Sequence, residues 1–237
     1  MVRQSRFSWS RSRLRSRILR PRRGDYYRNP ATYWDGRHRR FGDDLDGVGT
    51  AGLGESGNRR DYETKWEHLR SVLVSQGVEP DELLDAGCGI GWFTERLLAA
   101  GHRPTAIDFS PAAVELARRR LGPASSVEVA SLADYHAGRT FPLVICIDVL
   151  FHVVDDDQWR VTVANLGAHV ASNGLLVIQE HLVDEPAQVA GLAASHTRWR
   201  SEAMYRMVLD GWELLALDHY MLPCEGQTKD LMLFRRP

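Results

Sequence analysis

The chain has 237 residues, a formal net charge of −1 and 43% hydrophobic residues. That is enough apolar material for one full core, without the one-signed field that draws a protein to nucleic acid. No run of about eighteen apolar residues is present to span a bilayer. The three cysteines, Cys88, Cys146 and Cys224, stand too far apart for a disulfide framework or a zinc site, so a reducing cytoplasm is the expected home.

Residues 1–23 hold nine arginines and no acid, a composition that predicts a disordered basic tail. It also suits a transit peptide, or a weak amphipathic contact through Leu14, Ile18 and Leu19. Residues 24–60 are rich in Gly, Asp and Arg, carry five aromatics and show no sustained periodicity, which reads as a lid-like irregular segment. From residue 61 to 237 the pattern is that of one compact domain. It opens on a helix over 61–76, with Tyr62, Trp66, Leu69, Val72 and Leu73 on one stripe and Gly77 as its stop.

The most informative stretch follows. Leu83 and Leu84 run into Asp85, and then Gly87, Cys88, Gly89 and Gly91 lead into a helical pattern at Phe93, Leu97 and Leu98. A buried parallel strand therefore feeds a tight turn without side chains, where a ligand meets the backbone and the free N–H groups of the next helix. A second strand at 104–108 ends in Asp108 and Phe109. Asp108 is suited to accept hydrogen bonds from vicinal hydroxyls, and Ser110 and Pro111 fit the N-cap and first turn of a further helix.

A third strand at 127–130 runs into Ser131 and Leu132. A fourth, apolar throughout at 143–147, runs into Asp148 and His152. Asp155 or Asp156 caps the next helix, Asn173-Gly174 turns the chain into a fifth strand at 175–178, and Glu180-His181 follow it. The cluster His196, Thr197, Arg198, Trp199 and Arg200 precedes a helix over 201–210, and strands near 213–217 and 230–234 close the chain. Strands alternating with helices predict an α/β fold with a parallel sheet and right-handed crossovers, with ligands at the carboxyl ends of the strands.

The acid followed by G-x-G-x-G at 85–91, with I-D-F-S-P-x-A-V-E-x-A-R at 107–118, resembles motif I and the second cofactor motif of the class I S-adenosylmethionine-dependent methyltransferases. The dinucleotide fingerprint G-x-G-x-x-G spaces its third glycine differently, which disfavours a nicotinamide-dependent oxidoreductase. The resemblance implies a Rossmann-like doubly wound sheet of seven strands in the order 3-2-1-4-5-7-6, one of them antiparallel. It implies S-adenosyl-L-methionine as cofactor, held by Asp85, Gly87, Cys88, Gly89, Gly91, Asp108, Phe109, Ser131, Leu132 and Asp148.

The segment Asp148-Val149-Leu150-Phe151-His152-Val153 resembles the E-V-L-E-H-V segment of ubiquinone-type O-methyltransferases, but Phe151 replaces an acid, so no metal is expected. His152 is the expected general base, with His181 as the alternative. His196, Arg198, Trp199 and Arg200 are expected as a cationic and aromatic wall for a small-molecule acceptor, methylated on oxygen, such as a sugar or natural product. A methyltransferase-fold protein without transfer activity is the rival.

Overall fold

A computed structural model describes residues 29–123, 125–184 and 197–237. Seven strands, β1 (Glu82–Ala86), β2 (Arg103–Asp108), β3 (Ser126–Val129), β4 (Phe141–Ile147), β5 (Val170–Glu180), β6 (Glu213–Met221) and β7 (Thr228–Arg235), form one sheet. Its order is β3-β2-β1-β4-β5-β7-β6, parallel except for β7, which runs antiparallel to both β5 and β6. The expected fold class is therefore the observed one.

The alternation of side chains along each central strand builds two cores. Leu83, Leu143, Ile145, Leu175, Val177, Leu231 and Leu233 face α2 (Glu55–Ser75) and α3 (Trp92–Ala99), where they meet Leu69, Val72, Phe93 and Leu97. Their neighbours Leu84, Val144, Cys146, Leu176, Ile178, Met232 and Phe234 face the other way, toward Trp159, Val163 and Leu166 of α5 (Asp156–Ala168) and Tyr205 of α6 (Glu202–Val208). Burial on both faces explains why these strands read as continuous apolar runs. Helix α4 (Pro111–Leu121) starts as its sequence signature predicts, with Ser110 Oγ accepting from Ala113 N at 3.2 Å and Pro111 in the first turn.

Three expectations need correction. The stretch 24–60 is not irregular where it is described: Pro30–Phe41 is helix α1, with Asn29 Oδ1 accepting from Thr32 N and basic residues in its last turn. Helix α2 begins at Glu55, so the boundary drawn at residue 61 falls inside a continuous helix. Asn173-Gly174 does not precede β5 but bulges out within it, the register jumping from Phe141↔Val170 to Leu143↔Leu175. The basic tail 1–23 lies outside the described residues. Among the described residues, no helix is long and apolar enough to cross a membrane.

Candidate functional site

The turn after β1 is drawn tight by its own backbone. Gly87 N and Cys88 N both donate to Ile107 O, at 2.8 and 2.9 Å, and Gly89 N donates to Asp108 Oδ2 at 3.0 Å. Gly87 has φ +84°, and a Cβ there would lie 2.5 Å from Val149 Cγ2. Asp108 Oδ1 accepts from Ser110 N at 2.9 Å, so one carboxylate ties the glycine turn to the start of α4. Burial pushes the Asp108 carboxyl up to about 6.

A crevice of about 620 Å³, its open mouth included, lies over this turn. Its walls include Gly87, Cys88, Gly89, Asp108, Phe109, Asp148 and His152, all expected, and also Trp34, His38, Tyr62 and Trp92, which were not. Helix α1 supplies Trp34 and His38. It docks through Asp35, whose Oδ1 accepts from Ala112 N at 2.9 Å and from Ser110 Oγ at 3.2 Å, placing a carboxylate at the positive end of α4. His38 Nδ1 lies 3.0 Å from the same Ser110 Oγ, and burial, helped by Arg37, pushes its imidazole down to about 4. A hydrogen-bonded chain thus runs from α1 through Ser110 and Asp108 to the glycine turn. The i, i+4 spacing of Trp34 and His38 behind an Asn-Pro helix start was the signal available in the sequence.

Four of the other expected residues are placed elsewhere. Asp85 sits behind the turn, 3% exposed, and accepts from Thr94 Oγ1 at 2.5 Å. Gly91 caps α3 in the left-handed region, and a Cβ there would lie 3.1 Å from Ala117 Cβ, so its bareness serves the approach of α4. Ser131 is exposed and bonds Ala133 N, while Leu132 joins the core under α5.

Burial pushes the Asp85 carboxyl up to about 7, the Thr94 bond opposing and Asp108 adding to the rise. An acid raised in the fold stabilises fully below its ordinary value and loses that contribution as pH climbs through about 7. Asp85→Asn keeps an acceptor for Thr94 without the charge. Its melting temperature relative to the native chain should therefore rise between about pH 5 and about pH 8, by about 2–4 °C for each kcal/mol relieved. A constant difference across that range in thermal melts counts against this reading.

Asp148 follows β4 with φ +58°; among the described residues only it and Asn173 have positive φ without being glycine. Its two carboxylate oxygens meet Lys65 Nζ of α2 and Lys229 Nζ of β7, each at 2.5 Å. Burial would raise its carboxyl, but the two ammonium groups drive it far below the usual carboxylate range. Asp148 thus stands in the wall as a carboxylate held by two ammonium groups. His152 closes the short 3-10 turn Leu150–His152, its ring 4.7 Å from Trp34 and 4.2 Å from Phe151 between centroids. Glu180 anchors that turn from β5, accepting from Leu150 N at 2.9 Å and Phe151 N at 2.8 Å.

His181 is not on the crevice wall. Its Nδ1 lies 2.8 Å from Thr228 O, its ring stacks on Trp199, and burial together with the Lys229 charge pushes it down to about 4. The expected cationic wall is also corrected. Arg200 is 1% exposed, lies over Trp159 and donates to Val153 O at 2.7 Å and to Asp156, so it staples the turn after β4 to α5. Arg198 pairs with the other oxygen of Asp156 at 2.6 Å. His196 lies outside the described residues.

Residues 83–174 match the family model of a methyltransferase domain. Similar relatives include the dTDP-4-amino-2,3,4,6-tetradeoxy-D-glucose N,N-dimethyltransferase of Saccharopolyspora spinosa, 26% identical over 66% of this chain and 64% of that one. Another is the ubiquinone biosynthesis O-methyltransferase of Rickettsia conorii, 27% identical over 50% and 41%. The chain spans from about a third to just under two thirds of the length of the curated relatives it matches. Among solved structures, magnesium protoporphyrin IX methyltransferase from Synechocystis PCC 6803 with bound SAH superposes with a TM-score of 0.68. It is 19% identical over 90% of this chain and 97% of that one, a likeness of fold.

Proposed function

By its matched domain and its strand order the chain belongs to the class I S-adenosylmethionine-dependent methyltransferases, and on that premise we propose that its crevice binds S-adenosylmethionine and serves methyl transfer to an oxygen of a small molecule. The observation that carries the reading is the bare turn at Gly87 and Gly89 bonded to the Asp108 carboxylate, in the wall of the crevice at the sheet's switch point. A side chain at Gly87 would fill that cradle. Trp92, also in the wall, has a buried indole N–H with no acceptor among the described residues, an open donor that suits a ligand carboxylate.

Gly87, Cys88, Gly89 and Trp92 would hold the amino-acid end of the cofactor, and Asp108 with Phe109 its nucleoside end. When bound, S-adenosylmethionine supplies an electrophilic sulfonium methyl group. The protein's part is then alignment, exclusion of water and handling of the acceptor's proton. Helix α1 and residues 42–60 act as the cover, since Trp34 and His38 complete the wall and Asp35 locks them to α4. His152, at the mouth beside Asp148, takes the proton of the acceptor hydroxyl. The relatives named above act on nitrogen and on oxygen. The oxygen reading rests on this histidine, because a hydroxyl needs a base more than a neutral amine does.

Asp108→Ala should weaken binding of S-adenosylhomocysteine by about 1.5–3 kcal/mol, the usual range for hydrogen bonds to a charged group. Titration calorimetry measures it. Loss of turnover with affinity intact would remove Asp108 from the cofactor site. Failure of the native chain to bind S-adenosylhomocysteine would remove the function proposed here.

A further inference from the structure

Helix α1 brings one imidazole, His38, into the crevice wall, and the hydrogen bonds around it fix where its proton sits. Ser110 Oγ is fully buried and has three partners. Ala113 N donates to it at 3.2 Å, Asp35 Oδ1 lies 3.2 Å away and His38 Nδ1 3.0 Å away. A hydroxyl has one proton to give. Asp35 has none, since its Oδ1 also accepts from Ala112 N and its Oδ2 from Arg39 Nε at 2.8 Å. Two bare oxygens 3.2 Å apart would repel, so the Ser110 proton lies toward Asp35. His38 Nδ1 must then donate to Oγ, which leaves Nε2 without a proton and makes it an acceptor. Burial, with Arg37 adding to it, pushes this imidazole down to about 4, so the ring is neutral at pH 7.

Among the described residues, Nε2 of His38 makes no hydrogen bond, although the ring lines the crevice. Ser131 and Leu132 are absent from that wall, so the polar side chains facing the nucleoside end are Asp108 and His38. Both are tied to Ser110, Asp108 through its amide and His38 through its hydroxyl, which sets two acceptors close together. Each Asp108 oxygen accepts one amide N–H and keeps a further lone pair. Resting on the reading of this crevice as the S-adenosylmethionine site, we propose that His38 Nε2 accepts a hydrogen bond from one ribose hydroxyl of the cofactor while Asp108 accepts from its neighbour. Vicinal hydroxyls offer two donors on adjacent carbons, and the two acceptors match them in number and kind. A cofactor lacking the hydroxyl would leave a buried acceptor unpaired, so the contact discriminates as well as binds. It also makes α1 part of the cofactor site rather than a cover alone, seated by Asp35 on α4 and by His38 on the ligand. His38 is a binding residue here, and the acceptor's proton still goes to His152.

The test titrates S-adenosylhomocysteine, its 2′-deoxy and 3′-deoxy analogues and S-inosylhomocysteine into the full chain, His38→Leu and His38→Gln, by calorimetry. His38→Leu should bind S-adenosylhomocysteine about three- to tenfold more weakly, the range for one neutral hydrogen bond. His38→Gln, whose amide oxygen reaches the place of Nε2, should recover part of that loss. With one of the two deoxy analogues the loss in His38→Leu should vanish, because its partner hydroxyl is gone. A cover that merely docks less well weakens all four ligands alike, so an equal loss across them overturns the proposal. No loss in a variant that a thermal melt shows to be folded overturns it too, and a loss that vanishes with S-inosylhomocysteine instead moves the contact to the base. Should His38→Leu not fold, nitrogen-15 NMR of the native chain decides. His38 should show the Nδ1–H tautomer, with its Nε2 signal moving on addition of S-adenosylhomocysteine and staying in place with one deoxy analogue. The Nε2–H tautomer, or an Nε2 signal indifferent to S-adenosylhomocysteine, overturns the proposal. Failure of the native chain to bind S-adenosylhomocysteine at all would sink the methyltransferase reading instead, so the two failures are told apart.

Discussion

Gly87→Val is expected to lower affinity for S-adenosylhomocysteine at least a hundredfold, the largest effect of a single residue in the cofactor site. Two costs add. A β-branched residue at φ +84° is strained by about 1–2 kcal/mol. Its Cβ would also stand 2.5 Å from Val149 Cγ2, and relieving that overlap by backbone or side-chain movement costs about 1–3 kcal/mol more. The movement displaces the amides that bond Ile107 O and Asp108, which are the ones forming the cradle. Gly138→Val is the control, because φ there is +67° but nothing lies within 4 Å of a Cβ. It should carry the strain and leave binding untouched. Calorimetry on both variants, with circular dichroism to confirm the fold, decides. Native affinity in Gly87→Val would place the cofactor off this turn.

His152→Ala should lower turnover by roughly a hundredfold or more while S-adenosylhomocysteine binds nearly as before, the size usual for loss of a general base. The ring lines the crevice, packed between Trp34 and Phe151 on a turn that Glu180 holds from below. In the native chain the rate should rise with pH as an imidazole loses its proton, and that limb should vanish in the variant. A variant with normal turnover and a lowered melting temperature would make His152 a packing residue. His181 would not inherit the role, since it lies behind Phe151 with its Nδ1 engaged by Thr228 O.

The sequence alone determined the sheet, the glycine turn and the second carboxylate, because these rest on short-range chemistry. Strands buried on both faces must be apolar runs, a tight turn at positive φ needs glycine, and Ser110-Pro111 start a helix by local hydrogen bonding. Asp108, Phe109 and His152 were legible for the same reason: the first two stand at the carboxyl end of β2 and the third on the turn that follows β4, where α/β sheets bind.

Only the tertiary structure decided which polar residues work inward. Arg198 and Arg200 read as a free cationic wall until Asp156, more than forty residues away in sequence, is seen to engage both of them. Asp85 and Gly91 belong to the same motif as Gly87 and Gly89, yet the turn faces them away, one toward Thr94 and the other toward α4. Lys65, Asp148 and Lys229 carry no local pattern, since they come from a helix, a turn and an antiparallel strand. Charge pairs of this kind form through long-range contacts, which periodicity and capping rules do not encode. The cover formed by α1 was hidden in the same way: its helix start was written in Asn29-Pro30, but its place over the crevice depends on Asp35 finding the N-terminus of α4.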